Sequence, residues 1–232
     1  MNNTVPVQQQ ISSLSEQLFS LYPELAQIEK SCWLKLLNKS LIFNAPPQTI
    51  MQTLPGPYDH LLLLIEGNTR AYKADDSGRE VTIYRTFPGD LCSTNLQNLF
   101  NTKPACLYIQ AEKAIHALQI SAQAFNQAVS ESEIFKQFIF SHLSKSFTEV
   151  THAYGEMVFN KLDTRLCNQL KKLFSKSNGQ PLNITHQQLA NELGTTREVI
   201  SRSLKALEKQ GCLKITRGQL TMVSPEKLQN LL

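Results

Sequence analysis

Arg197, Glu198, Ser201, Arg202 and Lys205 recur at spacings of one, three and four, which on an α-helix gathers them on one face. The chemistry of such a set is recognition. Arginine donates two hydrogen bonds to the O6 and N7 of guanine, glutamate accepts from the N4 amino group of cytosine, and a serine hydroxyl serves either kind of partner. A lysine beside them suits phosphate. A solvated amphipathic helix carries similar residues, so the weight of the reading falls on the elements that hold them.

Those elements are legible in the segment NITHQQLANELGTTREVISRSLKALEKQG. Thr185 followed three residues later by Gln188 has the form of a capping box, so a helix is predicted to begin at His186. Leu189 and Leu193 share a face of it, and Gly194 sits where a left-handed residue must end it. Thr195 and Thr196 both offer a second N-cap. Thr196 is preferred, because it frees Glu198 from a capping role and puts Arg197 at the first helical position. Val199, Ile200, Leu204 and Leu207 then carry an apolar stripe as far as Gly211, with the small Ala190 at the closest approach of the two helices. This is a helix-turn-helix pattern. Beyond it Leu213 and Ile215 alternate with polar residues, Arg217 and Gly218 turn the chain, and Leu220 and Met222 alternate on return, forming a hairpin wing. Ser224 and Pro225 open a last short helix. The residues expected to meet DNA are Thr185, Thr195, Thr196, Arg197, Glu198, Ser201, Arg202, Lys205 and Arg217.

Charge agrees with that placement. The 232 residues carry a formal charge of +4, but from Lys161 onward twelve Lys and Arg face five Asp and Glu, a balance of +7, and the rest is −3. Positive charge gathered around a helix-turn-helix is what release of phosphate counterions requires.

Upstream, Ile11 to Leu21 reads as a helix, Pro23 forces a boundary, and a second helical piece reaches about Leu37. From Ser40 the period becomes two. Strands are predicted near Leu41 to Phe43, Thr49 to Met51, Leu61 to Ile65, Thr69 to Lys73, Val81 to Phe87, Cys106 to Ala111 and Ala114 to Ile120, with turns at EGN, DDSG and PGD. Many short strands at this spacing indicate an antiparallel β-roll. A helix follows from Ala122 and continues from about Ser132. Along it Phe140, Leu143, Phe147, Val150, Tyr154 and Met157 fall at spacings of three and four, the rhythm of a coiled-coil seam. Ile134, Phe135, Phe138 and Ile139 form a second apolar set able to cover the roll, which leaves the seam for a second copy of the chain. Near Asn160 the helix is predicted to break, with Asp163 capping a new helix over Thr164 to Phe174.

The fold class is therefore α+β, divided as 1–130 (roll with N-terminal helices), 131–160 (dimerisation helix) and 161–232 (winged helix-turn-helix). The start, MNNTVPVQQQ, has no basic and apolar leader, and no apolar run reaches membrane-spanning length. Five scattered cysteines without CxxC spacing read as reduced thiols, and the expected location is the cytoplasm.

In this order the parts resemble the Crp/Fnr superfamily of bacterial transcription regulators over nearly the whole chain. The matches are ITHQQLANELGTTREVISRSLKALEKQG, the strand pattern LIEGNTRAYKADDSGREVTIYRTFPGD, and LDTRL at the hinge. The resemblance implies a homodimer whose roll senses a signal and whose winged domains bind a palindromic operator, recruiting or obstructing RNA polymerase. Glu198, Ser201 and Arg202 match the E-x-x-S-R reading set of the Fnr branch, for which a TTGA-type half-site is expected, and Arg197 looks like the arginine of the cyclic-AMP branch.

The sensor departs from the pattern. Cyclic-nucleotide binders carry a Gly-Glu pair and an Arg-Ser or Arg-Thr pair shortly after PGD. This chain reads LCSTNLQNLFNTKPACLYIQA there and has no arginine from Thr86 to Thr164. A buried cyclic phosphodiester would lack a bidentate partner, for which Lys103 is a weak substitute, so a cyclic nucleotide is not expected. An Fe–S cluster is disfavoured because only Cys32 lies early in the chain. Haem through His60 or His116, and thiol oxidation at Cys92 or Cys106, remain as alternatives, with Cys92, Lys103 and Cys106 the candidate effector residues. No cofactor and no metal are predicted. Two rivals lie outside this class. A cupin-like enzyme needs converging histidines, whereas His60 and His116 stand alone and His142 and His152 belong to the long helix. A protein-interaction module would bind without the steep salt dependence of DNA contacts.

Overall fold

A computed structural model describes residues 3–6, 11–52, 60–76, 78–100 and 107–229. In chain order these form β1 (Asn3–Pro6), α1 (Ile11–Leu21), a 3-10 turn (Pro23–Gln27), α2 (Lys30–Asn38), β2 (Ser40–Ala45), β3 (Ile50–Gln52) and β4 (His60–Glu66). Next come β5 (Thr69–Ala74), β6 (Glu80–Thr86), α3 (Ser93–Phe100), β7 (Tyr108–Ala111), β8 (Ile115–Ser121), α4 (Ala122–Glu131) and α5 (Glu133–Phe159). The last part holds α6 (Leu162–Lys176), β9 (Leu182–Asn183), α7 (His186–Leu193), α8 (Arg197–Lys209), β10 (Leu213–Thr216), β11 (Gln219–Met222) and α9 (Pro225–Gln229).

The run LLLLI shows how the roll is built. Side chains alternate across a strand, so Leu61 and Leu63 face the helical core, where α1, α2, α4 and the first turns of α5 meet. Leu62 and Leu64 face the other way, into a core shared with Phe43, Ala45, Ala111 and Ala117. A strand apolar on both faces is thus buried on both faces. Two four-stranded sheets result, ordered β1-β2-β8-β4 and β3-β7-β5-β6. The turn after β4 requires Gly67: its φ is +84°, and a Cβ there would strike the Ala114 carbonyl.

Ser132 separates α4 from α5. It takes an extended conformation, accepts from the Phe135 N–H at 3.3 Å and donates to Glu29 at 2.6 Å. Phe135, Phe138 and Ile139, just beyond it, are buried in the helical core as the apolar set predicts.

Contacts divide the chain into two compact units. One takes the residues up to Lys73 with Ile83–Thr148, and the other takes Ala74–Thr82 with Glu149–Leu232. The predicted dimerisation helix is therefore shared between units, because its first turns are anchored among the helices of the roll. Not every element is foreseen by the sequence pattern. Residues 3–6, for which no strand is predicted, pair with β2 from Asn3↔Asn44 to Pro6↔Leu41. Residues 93–100, to which the sequence pattern assigns no element, form α3, whose leucines are too few to set a period. One cap is corrected as well. The N-cap of α6 is Lys161, without a side-chain bond, and Asp163 lies in its first turn.

A candidate nucleic-acid interface and the sensor roll

In the C-terminal unit α7 and α8 share a core with α6. Leu189, Ala190, Leu193, Ile200, Leu204 and Leu207 are buried against Leu166, Cys167, Leu170 and Phe174. The N-terminus of α7 is closed by a reciprocal pair: Thr185 Oγ1 accepts from the Gln188 N–H at 3.1 Å, and Gln188 Oε1 accepts from the Thr185 N–H at 2.8 Å. Gly194 ends the helix at φ +65°, which glycine adopts without strain. Arg165 donates to the Leu193 carbonyl at 3.2 Å, a cation on the negative end of α7. Thr196 caps α8 by accepting from the Val199 N–H at 3.4 Å.

These constraints fix which face of α8 looks outward. Arg197, Glu198, Arg202 and Lys205 are exposed and Ser201 is half-buried beside them, while Ile200 and Leu204 are buried. All five residues singled out for base and phosphate contact lie together, with Thr185 and Thr196 exposed at the two helix starts and Thr195 half-buried in the turn. The expectation that Thr196 as cap would leave Glu198 disengaged is corrected. Hydrogen bonds from its own backbone and from the Thr196 side chain hold the Glu198 carboxyl below the usual range, which keeps it an ionised acceptor. β10 and β11 pair antiparallel from Leu213↔Met222 to Thr216↔Gln219, with Arg217 exposed at the tip. The Ile215 N–H donates to Glu208 Oε1 at 2.7 Å, joining the wing to the end of α8.

Sequence reasoning missed His186. Its Nδ1 lies 2.8 Å from Ser201 Oγ. The only sign of this in the sequence was position, since the first residue of α7 faces the middle of α8 when the turn between them is tight.

On α5 most of the seam is exposed. Phe140, Phe147, Val150 and Tyr154 are exposed, Phe147 to 72 %, and Phe159 extends the apolar surface at 85 %. Leu143 differs: it is half-buried and packs on the helical core. The Met157 side chain lies outside the described residues.

In the roll, polar groups beside PGD are engaged by the chain's own residues. Tyr84 hydrogen-bonds through its hydroxyl to Thr94 Oγ1 and accepts from the Thr94 N–H at 2.8 Å, with Cys92 Sγ at 3.5 Å. Burial pushes the Cys92 thiol and the Tyr84 hydroxyl up, so neither ionises readily. The candidate effector residues Lys103 and Cys106 lie outside the described residues. Arg85, the last arginine before the gap, is spent on Glu112, which accepts from its Nε and Nη2 at 2.9 Å each. His116 Nδ1 lies 2.8 Å from Asn44 Oδ1. Among the described residues no group of three or more His, Cys, Asp and Glu is arranged to hold a metal ion.

A roll, a helix with an exposed apolar stripe and a winged helix-turn-helix with an outward polar and basic face are the parts of a DNA-binding regulator. Comparison with known proteins agrees. Residues 48–132 match the cyclic nucleotide-binding domain and residues 164–231 the Crp-like helix-turn-helix domain. The chain belongs to the Crp/Fnr superfamily of transcription regulators. It is 25 % identical over 178 residues to the nitrogen fixation regulation protein FixK of Bradyrhizobium diazoefficiens, covering 72 % of each chain. It is 23 % identical over 173 residues to the cAMP-activated global transcriptional regulator Vfr of Pseudomonas aeruginosa, covering 70 % of this chain and 79 % of that one. A Crp/Fnr-family regulator from Eubacterium rectale superposes with a TM-score of 0.82 at 25 % identity, covering 91 % of this chain and 98 % of that structure.

Proposed function

We propose that this transcription regulator acts as a homodimer in the cytoplasm, reading a palindromic operator through α8 of each copy and responding to a signal other than a cyclic nucleotide. The observation that carries the reading is the outward face of α8, where Arg197, Glu198, Ser201, Arg202 and Lys205 stand on a helix that packs Ile200, Leu204 and Leu207 into the core. Arg217 on the wing and the capping threonines serve phosphate. The exposed α5 stripe supports the dimer: an isologous pairing would bury it and set two reading helices about one DNA turn apart. Three facts support a signal of another kind. The stretch after PGD carries no arginine, Tyr84 and Thr94 satisfy each other there, and Arg85 is engaged by Glu112. RNA polymerase is the expected protein partner, and a regulatory rather than enzymatic role follows.

Selection of bound DNA from a random pool, with protein as isolated, oxidised and reduced, tests this reading. An inverted repeat with Arg and Glu contacts in each half-site is expected. Unselective binding, or binding insensitive to salt, would overturn it.

A further inference from the structure

We propose that His186 is a positioning residue that decides whether the Ser201 hydroxyl meets DNA as an acceptor or as a donor, and that His186 takes up a proton when the chain binds DNA. The inference rests on the reading of α8 as the recognition helix and deepens it.

The geometry is a single contact with large leverage. His186 Nδ1 and Ser201 Oγ are 2.8 Å apart, joining the first residue of α7 to the middle of the base-facing set. A serine hydroxyl has one proton to give. With a neutral imidazole protonated on Nε2, Nδ1 accepts that proton, and Oγ turns its lone pairs outward toward the amino groups of adenine or cytosine. With an imidazolium, Nδ1–H donates to Oγ, and the serine proton is released toward the N7, O6 or O4 of a purine or thymine. One protonation event therefore inverts the preference of a base contact without moving a backbone atom.

The surroundings set its direction. The charged groups bearing on the ring are Arg197 and Lys205, both on α8, and the first turn of α7 contains no acidic residue. Partial burial, then Arg197, then Lys205, hold His186 below its ordinary range, so the ring is neutral in the free protein near neutral pH. DNA phosphates bring the opposite sign of charge to Arg197 and Lys205 and so favour the imidazolium. Binding then takes up protons, and affinity rises as pH falls.

The test measures affinity of the full chain for its selected operator and for single-base-pair variants of it, between about pH 5.5 and about pH 8, the window of an imidazole. The wild type is expected to tighten on acidification by at most about tenfold per pH unit for each proton taken up. Its base preference at one position of each half-site is expected to move from an amino-bearing to an N7- or carbonyl-bearing edge. His186→Gln should still bind the operator but lose both pH effects. Ser201→Ala should keep the tightening and lose the change in preference. An unchanged wild-type base profile across the range, or a His186→Gln variant that keeps the pH dependence, would overturn the proposal. A wild type that selects no sequence at any pH would instead remove the recognition-helix reading, and this inference with it.

Discussion

Asp163 Oδ1 accepts a 2.7 Å hydrogen bond from the Ser203 hydroxyl, tying the first turn of α6 to the recognition helix across forty residues of chain. The bond holds α8 from the side opposite its reading face. Asp163→Ala and Ser203→Ala are each expected to cost about 1 kcal/mol of unfolding free energy, and the double variant little more than the larger single loss. A double-mutant cycle by urea unfolding measures this, and additive losses would show that the contact contributes nothing in solution.

Arg202 and Lys205 are expected to part ways. Arg202→Ala should cost about 1–3 kcal/mol on the selected operator and blur one base position, whereas Lys205→Ala should weaken all sequences alike and lower the salt slope by about one. Titrations at several salt concentrations, on operator and on scrambled DNA, separate the two. A base-dependent loss from Lys205→Ala would mean that α8 presents a different face.

Phe147→Glu places a charge in the exposed stripe of α5, at a residue that belongs to none of the three buried cores. Self-association is expected to weaken by about 2 kcal/mol or more, as for a central aromatic anchor of an interface. Sedimentation velocity reads the outcome, and a variant with the wild-type mass at the same concentration would remove α5 from the interface.

Glu112 joins β7 to the arginine of β6, and its titration has a definite sign. Burial raises the carboxyl, but the hydrogen bonds and charge of Arg85, aided by Asn68, outweigh it, so the folded value lies below the ordinary 4.5. Its contribution is present above that ordinary value and is lost as pH falls through the folded one. Glu112→Gln is expected to cost about 1 kcal/mol near neutral pH, with the difference from wild type closing on acidification. Unfolding curves against pH test it, and a constant difference would contradict the assignment.

Where local chemistry decides structure, the sequence was sufficient. Thr185 with Gln188, Gly194 and the stripe from Val199 to Leu207 specify α7 and α8 with little help from the rest of the chain, and the doubly apolar run of β4 specifies a strand buried on both faces. What escaped depends on partners far away in sequence. The strand at residues 3–6 is formed by its pairing with β2, and α3 carries too few apolar residues to announce itself. Asp163 looked like a cap because Asp near a helix start usually is one, but its oxygen serves Ser203 instead. His186 was read only as the start of a helix, since its role is set by a residue fifteen positions on.

Only Thr195 separates the left-handed Gly194 from the cap Thr196, so the turn has no slack. Lengthening it by one residue would move the Thr196 cap away from the end of α7 and with it the point at which α8 starts. So short a connection leaves exchange of side chains along α8, rather than insertion beside it, as the direct way to retune which genes are addressed.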